Sequence, residues 1–268
     1  MTTSTRQPAI FLSHAGGPCF WMTFPPPYGP GTFDRLRDYF GSLLGSLPAK
    51  PRAIVLISAH WEEEVTTVST SPAPSMYFDY SGFPENTYAL HYPAPGSSEV
   101  ASEITELLAT AGISHGTDAT RGFDHGVFVP MLIADPKGEI PVVMVSIRRD
   151  LDPAGHFALG RALAPLREQN VLIVGSGNVW HGGGGEQGKA GSREFEAWVS
   201  DTLADADADR RERSLMAWES APYARPAQPH EDHLMPLIVV AGAALNDAGK
   251  RSFHDVLGGL SLACYEFY

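Results

Sequence analysis

Three apolar runs in this chain each end on a histidine: AIFLSHAGGP (9–18) delivers His14, AIVLISAHWE (53–62) delivers His60, and VLIVGSGNVWHGGGG (171–185) carries His181 past a glycine. His125 lies between Asp124 and Gly126 in RGFDHGVFVPM (121–131), where a short loop would push the imidazole into a cleft and the adjacent carboxylate would orient it. His233 opens the apolar run HLMPLIVVAGAAL (233–245), directly after His230, Glu231 and Asp232. Neutral imidazole binds Fe, Zn, Cu and Ni, and it titrates close to neutral pH. Taken singly, each histidine also reads as a cap or a core residue satisfied by a backbone carbonyl; several in one context favour a metal. His14, His60 and His233 each stand on a rigid element, and a site with three protein ligands keeps positions open for catalysis. His125 and His181 are then left over as general acid and base. His91 follows no strand and reads as structural or surface, and His156 falls on a helix where a solvated or core role is expected.

The elements that must position these side chains alternate between strand and helix. Parallel strands joined by right-handed crossovers bring their carboxyl ends to one rim, where ligands bind. Continuous apolar runs at 53–59 and 140–147 read as strands buried on both faces, and EVTTVSTS (64–71) as a strand with one wetter face. Helical spacing covers 33–46, 98–111 and 153–169; 192–217 is helical in composition with a solvated acidic face, a buried helix follows 230–233, and SLACYEFY returns as a strand. WMTFPPPYGPG (21–31) is a stiff loop able to wall a pocket, and the aromatic-rich loop at 72–97 reads as a second substrate-pocket wall. The expected fold is α/β: one catalytic domain over residues 1–268, a central mostly parallel or mixed sheet flanked by helices, and a metal site at the strand carboxyl ends.

A net charge of −12 argues against a nucleic-acid footprint and against an anionic membrane surface, which leaves a small molecule as the expected partner. Cys19 and Cys264 lie far apart and form no CxxC pair, so neither a disulfide framework nor a thiolate zinc site is indicated, and a reducing cytoplasm fits. No apolar run reaches the roughly 18 residues of a membrane span, and no signal-peptide pattern opens the chain. The oligomeric state is open, a homo-oligomer included.

SHAGGP, SAHWE, FDHG, GSGNVWH and DHLMPL, in this order, resemble the DODA-type (LigB-like, class III) extradiol ring-cleaving dioxygenases, and the resemblance covers nearly the whole chain. It implies insertion of both atoms of O2 into a catechol-type ring, DOPA-like or otherwise substituted. It implies Fe(II) on His14, His60 and His233, with His125 and His181 in the second sphere. The wider family often has two histidines and a glutamate as ligands; the DODA-type branch has histidine in the third place, as DHLMPL does. By the same resemblance His181 takes the proton of a substrate hydroxyl and later returns it, and His125 hydrogen-bonds oxygen. Ala15 stands where glycine is usual, and Trp180 where a small residue is common. Trp180, Tyr88 and Arg121 are the expected substrate contacts, with Arg148 or Arg149 as other sources of a cation for a carboxylated substrate. Two rival readings are a zinc hydrolase on the same ligands, with Zn(II) as occupant, and a non-enzymatic scaffold like the Memo proteins.

Overall fold

The continuous apolar runs become the middle of a sheet. In a computed structural model that describes residues 5–25 and 28–268, the strands are β1 (Ala9–Ser13), β2 (Ala53–Glu63), β3 (Thr66–Ser69), β4 (His115–Asp118), β5 (Val142–Arg148), β6 (Val171–Gly177), β7 (Lys250–Leu257) and β8 (Leu260–Phe267). They form one sheet in the order β4-β3-β5-β2-β6-β1-β8-β7. The centre, β5-β2-β6-β1, is parallel. β8 joins β1 antiparallel and hairpins back to β7, while β3 meets β5 antiparallel and β4 parallel. The sheet is therefore mixed, with its parallel part where the apolar runs are longest.

Alternation along each central strand divides the core in two. Val55, Ile57, Val143 and Ile173 face one way, into a layer with α4 (Pro153–Leu163) and α8 (Met235–Ala244). Ile54, Leu56, Met144 and Val174 face the other, into a layer with Leu36 and Phe40 of α1 (Asp34–Leu43) and Val127 and Phe128 of α3 (His125–Ala134). The remaining helices are α2 (Ser98–Thr110), α5 (Gly185–Ala204), α6 (Ala208–Met216) and the single turn α7 (Ala224–Ala227). Every residue of α8 is buried. It crosses α4 at Gly160 and Gly242, where a Cβ on Gly160 would stand 1.9 Å from the Val239 carbonyl oxygen and one on Gly242 2.2 Å from that of Phe157. Backbone meets backbone there, so Gly160→Ala must push the helices apart. We expect it to cost about 1–3 kcal/mol, read as a Tm lowered by at least about 2 °C; an unchanged Tm would show that the crossing opens freely.

The structure departs from the sequence expectations in several places. β3 has no wet face: all four residues are buried, because β4 flanks it outside and α2 packs on it. Its hydroxyls and those of β5 replace missing ladder bonds, Ser69 Oγ accepting from the Met144 N–H and Ser146 Oγ from that of Thr67, both at 2.8 Å. β4 and β7 were not anticipated. The helical stretch expected at 192–217 begins at Gly185 and breaks at Asp205, and the Asp207 side chain caps α6. Among the described residues no helix is long and apolar enough to cross a membrane. Cys19 and Cys264 are both buried free thiols. Of the proline loop at 21–31, Pro26 and Pro27 lie outside the described residues.

Candidate metal centre

His14 follows β1 and is fully buried. Its Nδ1 lies 2.9 Å from Ser176 Oγ, and that hydroxyl donates onward to the Gly126 carbonyl at 2.5 Å. Ser176 can then only accept from His14, which fixes Nδ1–H as donor and leaves Nε2 as a free lone pair; the tautomer is assigned from the hydrogen-bond network. His60 Nε2 faces it at 3.2 Å. His60 lies within β2 rather than beyond it, at a register shift against β5 between Ser58 and Glu62, the kind of irregularity that re-aims a side chain. His233 ends a 3₁₀ turn (Glu231–His233) that sits against the end of β6. That approach requires glycine at 177, where a Cβ would stand 2.2 Å from the His233 carbonyl oxygen. The three ring centroids form a near-equilateral triangle, 5.0 Å for His14–His60, 5.3 Å for His14–His233 and 4.9 Å for His60–His233.

The spacing of His14 and His60 suits a metal ion. Two nitrogens at about 2.1 Å from one ion stand about 3.0–3.4 Å apart, which the facing Nε2 atoms match. Burial, reinforced by the neighbouring imidazoles, holds His14 and His60 well below the ordinary histidine range; at His60 it outweighs Asp79 and Asp232. Burial also lowers His233 against the pull of Asp232. All three are thus neutral at neutral pH, the form that binds metal. His233 Nδ1 is buried without a hydrogen bond, although Asp232 Oδ1 lies 3.0 Å away.

His125 is not in a loop. It is the first residue of α3, and Asp124 is the cap, its side chain accepting from the Val127 N–H. Asp124 therefore does not orient the imidazole; it also accepts from Ser58 Oγ (2.7 Å) and from Arg121 (2.8 Å). The orienting carboxylate is Asp79, which takes His125 Nδ1 at 2.9 Å and the His125 N–H at 3.0 Å, and whose Oδ2 lies 3.4 Å from His60 Nδ1. Burial would raise Asp79, but the His125 imidazole outweighs it and holds the carboxyl below its usual range. His181 stacks on His233, with centroids 3.4 Å apart and planes 21° apart, and its Nδ1 is 3.7 Å from Asp232 Oδ1. Ligand atoms of His14, His60 and His125 lie within 4.8 Å of one another, as do those of His181, Asp232 and His233.

A cavity of about 420 Å³ opens beside this centre, reaching it at Ala15, Asn178 and His181. Trp180 lines it. Arg121 and Tyr88 do not. Arg121 donates to the His60 carbonyl and to Asp124 and lies over the Tyr77 ring at 4.5 Å, so it braces β2. Tyr88 packs on Phe78 and Tyr80. Arg148 and Arg149 pair with Asp150 and Glu64. The loop at 72–97 does not wall this cavity; it supplies Asp79 and an aromatic cluster whose Tyr80 ring lies 5.9 Å from His125. The loop at 21–31 does contribute, through Phe24 and Tyr28. His156 is a core residue, Nδ1–H donating to the Asp152 carbonyl and Nε2 accepting from the Arg148 N–H, while exposed His230 meets Glu62 at 3.0 Å.

The model of the catalytic LigB subunit of aromatic ring-opening dioxygenases matches residues 9–259. The chain belongs to the LigB family. Its relatives include the dioxygenase tasH of Hapsidospora irregularis, 36% identical across 98% of this chain and 86% of the relative. The 4,5-DOPA extradiol dioxygenase of Beta vulgaris is 37% identical across 81% and 83%, and that of Escherichia coli K12 is 34% identical across 90% and 86%. A crystal structure of an uncharacterized Escherichia coli K12 protein superposes with a TM-score of 0.78 at 29% identity, covering 98% of this chain and all of that one. This LigB-family member is of the DODA type, an extradiol aromatic ring-opening dioxygenase acting on a small aromatic molecule and O2.

Four residues of this LigB site escape a reading of histidine spacing. Ser176 fixes the His14 tautomer, Asp79 clamps His125, and Asp232 sits between His181 and His233. Asn178 bonds both backbone groups of Ala15, accepting its N–H at 3.2 Å and donating to its carbonyl at 3.1 Å. That bracket holds Ala15 at φ +61°, the left-handed region that suits glycine. Asp232 in DHLMPL and Ser176 and Asn178 in GSGNVWH stand in motifs legible in the sequence, whereas Asp79 does not.

Proposed function

We propose that this enzyme binds Fe(II) through His14, His60 and His233 and cleaves a substituted catechol, with His181 and His125 as its acid–base and hydrogen-bonding residues. The observation that carries the reading is the approach of the His14 and His60 Nε2 atoms to 3.2 Å with the His233 ring closing the triangle. Iron held there would supply a centre able to take O2 and a catecholate together and pass charge between them, a redox step that zinc lacks.

The protein's part is positional and protonic. His181 lines the cavity, and with Asp232 facing its Nδ1 the Nε2 is left to take a proton from a catechol hydroxyl and hold it for return. His125 is kept in one orientation by its two contacts with Asp79, so its Nε2 is free to hydrogen-bond an oxygen atom. The stack of His181 on His233 keeps the base within reach of whatever occupies the triangle.

Oxygen uptake tests the reading. Protein reconstituted anaerobically with Fe(II) is expected to consume one O2 per catechol and to form a yellow ring-opened product, whereas zinc-loaded protein consumes none. No uptake with any catechol, despite stoichiometric iron, would reject it. Ser176→Ala removes the group that fixes the His14 tautomer, and such outer partners are worth about 10–100-fold in metal affinity or activity. A chelator competition should therefore show metal binding weakened by that factor; unchanged affinity would mean that His14 does not bind through Nε2.

A further inference from the structure

We infer that the substituent on the catechol is uncharged and apolar, and that Trp180 is the end wall that sets its length; the inference rests on the ring-cleavage reading above. A bare catechol has eight heavy atoms, which at about 30 Å³ each, the share of a water molecule in the liquid, come to at most about 240 Å³. The cavity holds about 420 Å³, so it has room for a side chain.

The surroundings of that room are apolar on three sides. Phe24, Tyr28 and Phe33 come from the segment before α1, Leu257, Leu260 and Leu262 from the β7–β8 hairpin, and Trp180 from the loop after β6. Among the described residues no Lys, Arg, Asp or Glu lines the cavity. Of the basic residues on neighbouring elements, Arg35 is held by Asp255, Arg37 by the Phe20 carbonyl and Lys189 by Glu186. Asn178 spends both amide atoms on Ala15, and Ser261 Oγ, buried without a partner, is neutral. An amino-acid side chain such as that of DOPA would bring an ammonium and a carboxylate with no Lys, Arg, Asp or Glu along this lining to pair them, and a charge taken from water without a partner is disfavoured. The chain's net charge of −12 works further against an anionic substrate.

Trp180 sets the limit because it is a partition. A second cavity, also about 420 Å³, lies on its other side against Gly188, Tyr223, Pro226 and Pro229. The indole is held by Nε1–H donation to the Gly183 carbonyl at 3.2 Å, and a Cβ on Gly191 would stand 2.9 Å from its ring. Removing it joins the two spaces.

The test compares 4-butylcatechol, 4-octylcatechol and DOPA on the Fe(II)-loaded enzyme, with calorimetric titration of each catechol under nitrogen as a readout independent of turnover. We expect kcat/KM for 4-butylcatechol to exceed that for DOPA by at least about 10-fold, the discrimination that one added methylene gives in an apolar pocket, and its Kd to be lower in the same direction. DOPA cleaved and bound as well as 4-butylcatechol would overturn the inference while leaving ring cleavage intact. If no catechol is cleaved, the ring-cleavage reading falls and the titration alone decides: tighter butylcatechol binding supports the apolar pocket, and equal or weaker binding refutes it. Trp180→Ala should raise the octyl-to-butyl ratio of kcat/KM by at least about 10-fold at wild-type metal content. Trp180→Phe, which keeps a ring in the packing, should move it the same way by less. A ratio unchanged in a folded variant of either kind would remove Trp180 from this role.

Discussion

Replacing His181 by alanine is expected to leave iron content at the wild-type level and to lower kcat by about 10²–10⁴-fold, the usual contribution of a positioned acid–base group. The imidazole stacks on His233 and lines the cavity, with Asp232 beside its Nδ1. His233→Ala should instead abolish stoichiometric iron binding, because it opens one corner of the triangle. Metal analysis of both proteins, alongside steady-state kinetics, separates the roles. Should His181→Ala lose iron and His233→Ala keep it, the two residues exchange functions. His125→Ala belongs in the same series, since its ring nitrogen shares the 4.8 Å neighbourhood of His14 and His60. Under the proposed assignment that variant retains iron.

The second large effect is on stability, at the opposite rim of the sheet. Arg167 is 1% exposed and donates to the carbonyls of Gln7, Ala243 and Phe267, each at 2.9 Å, with Asp247 Oδ2 also at 2.9 Å. One guanidinium thereby ties the entry to β1, the end of α8 and the end of β8 to the turn before β6. Arg167→Met would strand three buried carbonyls and weaken the hold on Asp247. We expect a loss of at least about 3 kcal/mol, about 1 kcal/mol or more for each stranded carbonyl, while Asp247 keeps its pair with Arg6, measured by urea unfolding. Because the histidines lie at the other rim, kcat and iron content should be unchanged at temperatures where the variant is folded. A loss below about 1 kcal/mol would show that water satisfies those carbonyls instead.

What could be read from the sequence follows from the physics of each segment. Strands buried on both faces leave long apolar runs, so β1, β2, β5 and β6 were legible, and with them the rim that carries His14, His60 and His181. β7 was not, since KRSFHDVL is an edge strand with no clean alternation, and β4, HGTD, is too short and polar to show a period. α3 was hidden because Gly126 and Pro130 both disfavour helix; the Asp124 cap and burial on every side of its first turns override them. The triangle of His14, His60 and His233 was anticipated, but the groups that aim the imidazoles were not. Asp79 lies in a segment without periodicity, and Ser176 is a small residue inside a buried strand. Arg121 and Tyr88 show the converse failure: residue type suggests a contact, yet only packing decides direction, and both side chains turn to other partners.

The order of the sheet also sets a timetable for the molecule's birth. β1 leaves the ribosome first, yet its two neighbours are β6, where Ala9 lies beside Ile173, and β8, where the same residue lies beside Phe267. Pairings so distant along the chain are slow to form and come after local structure. β1 must therefore wait for both β6 and β8 before its two edges are covered, and His14 waits with it. The histidine triangle therefore forms only once β6 and the turn that bears His233 have been made, and until then His14 and His60 stand apart from His233.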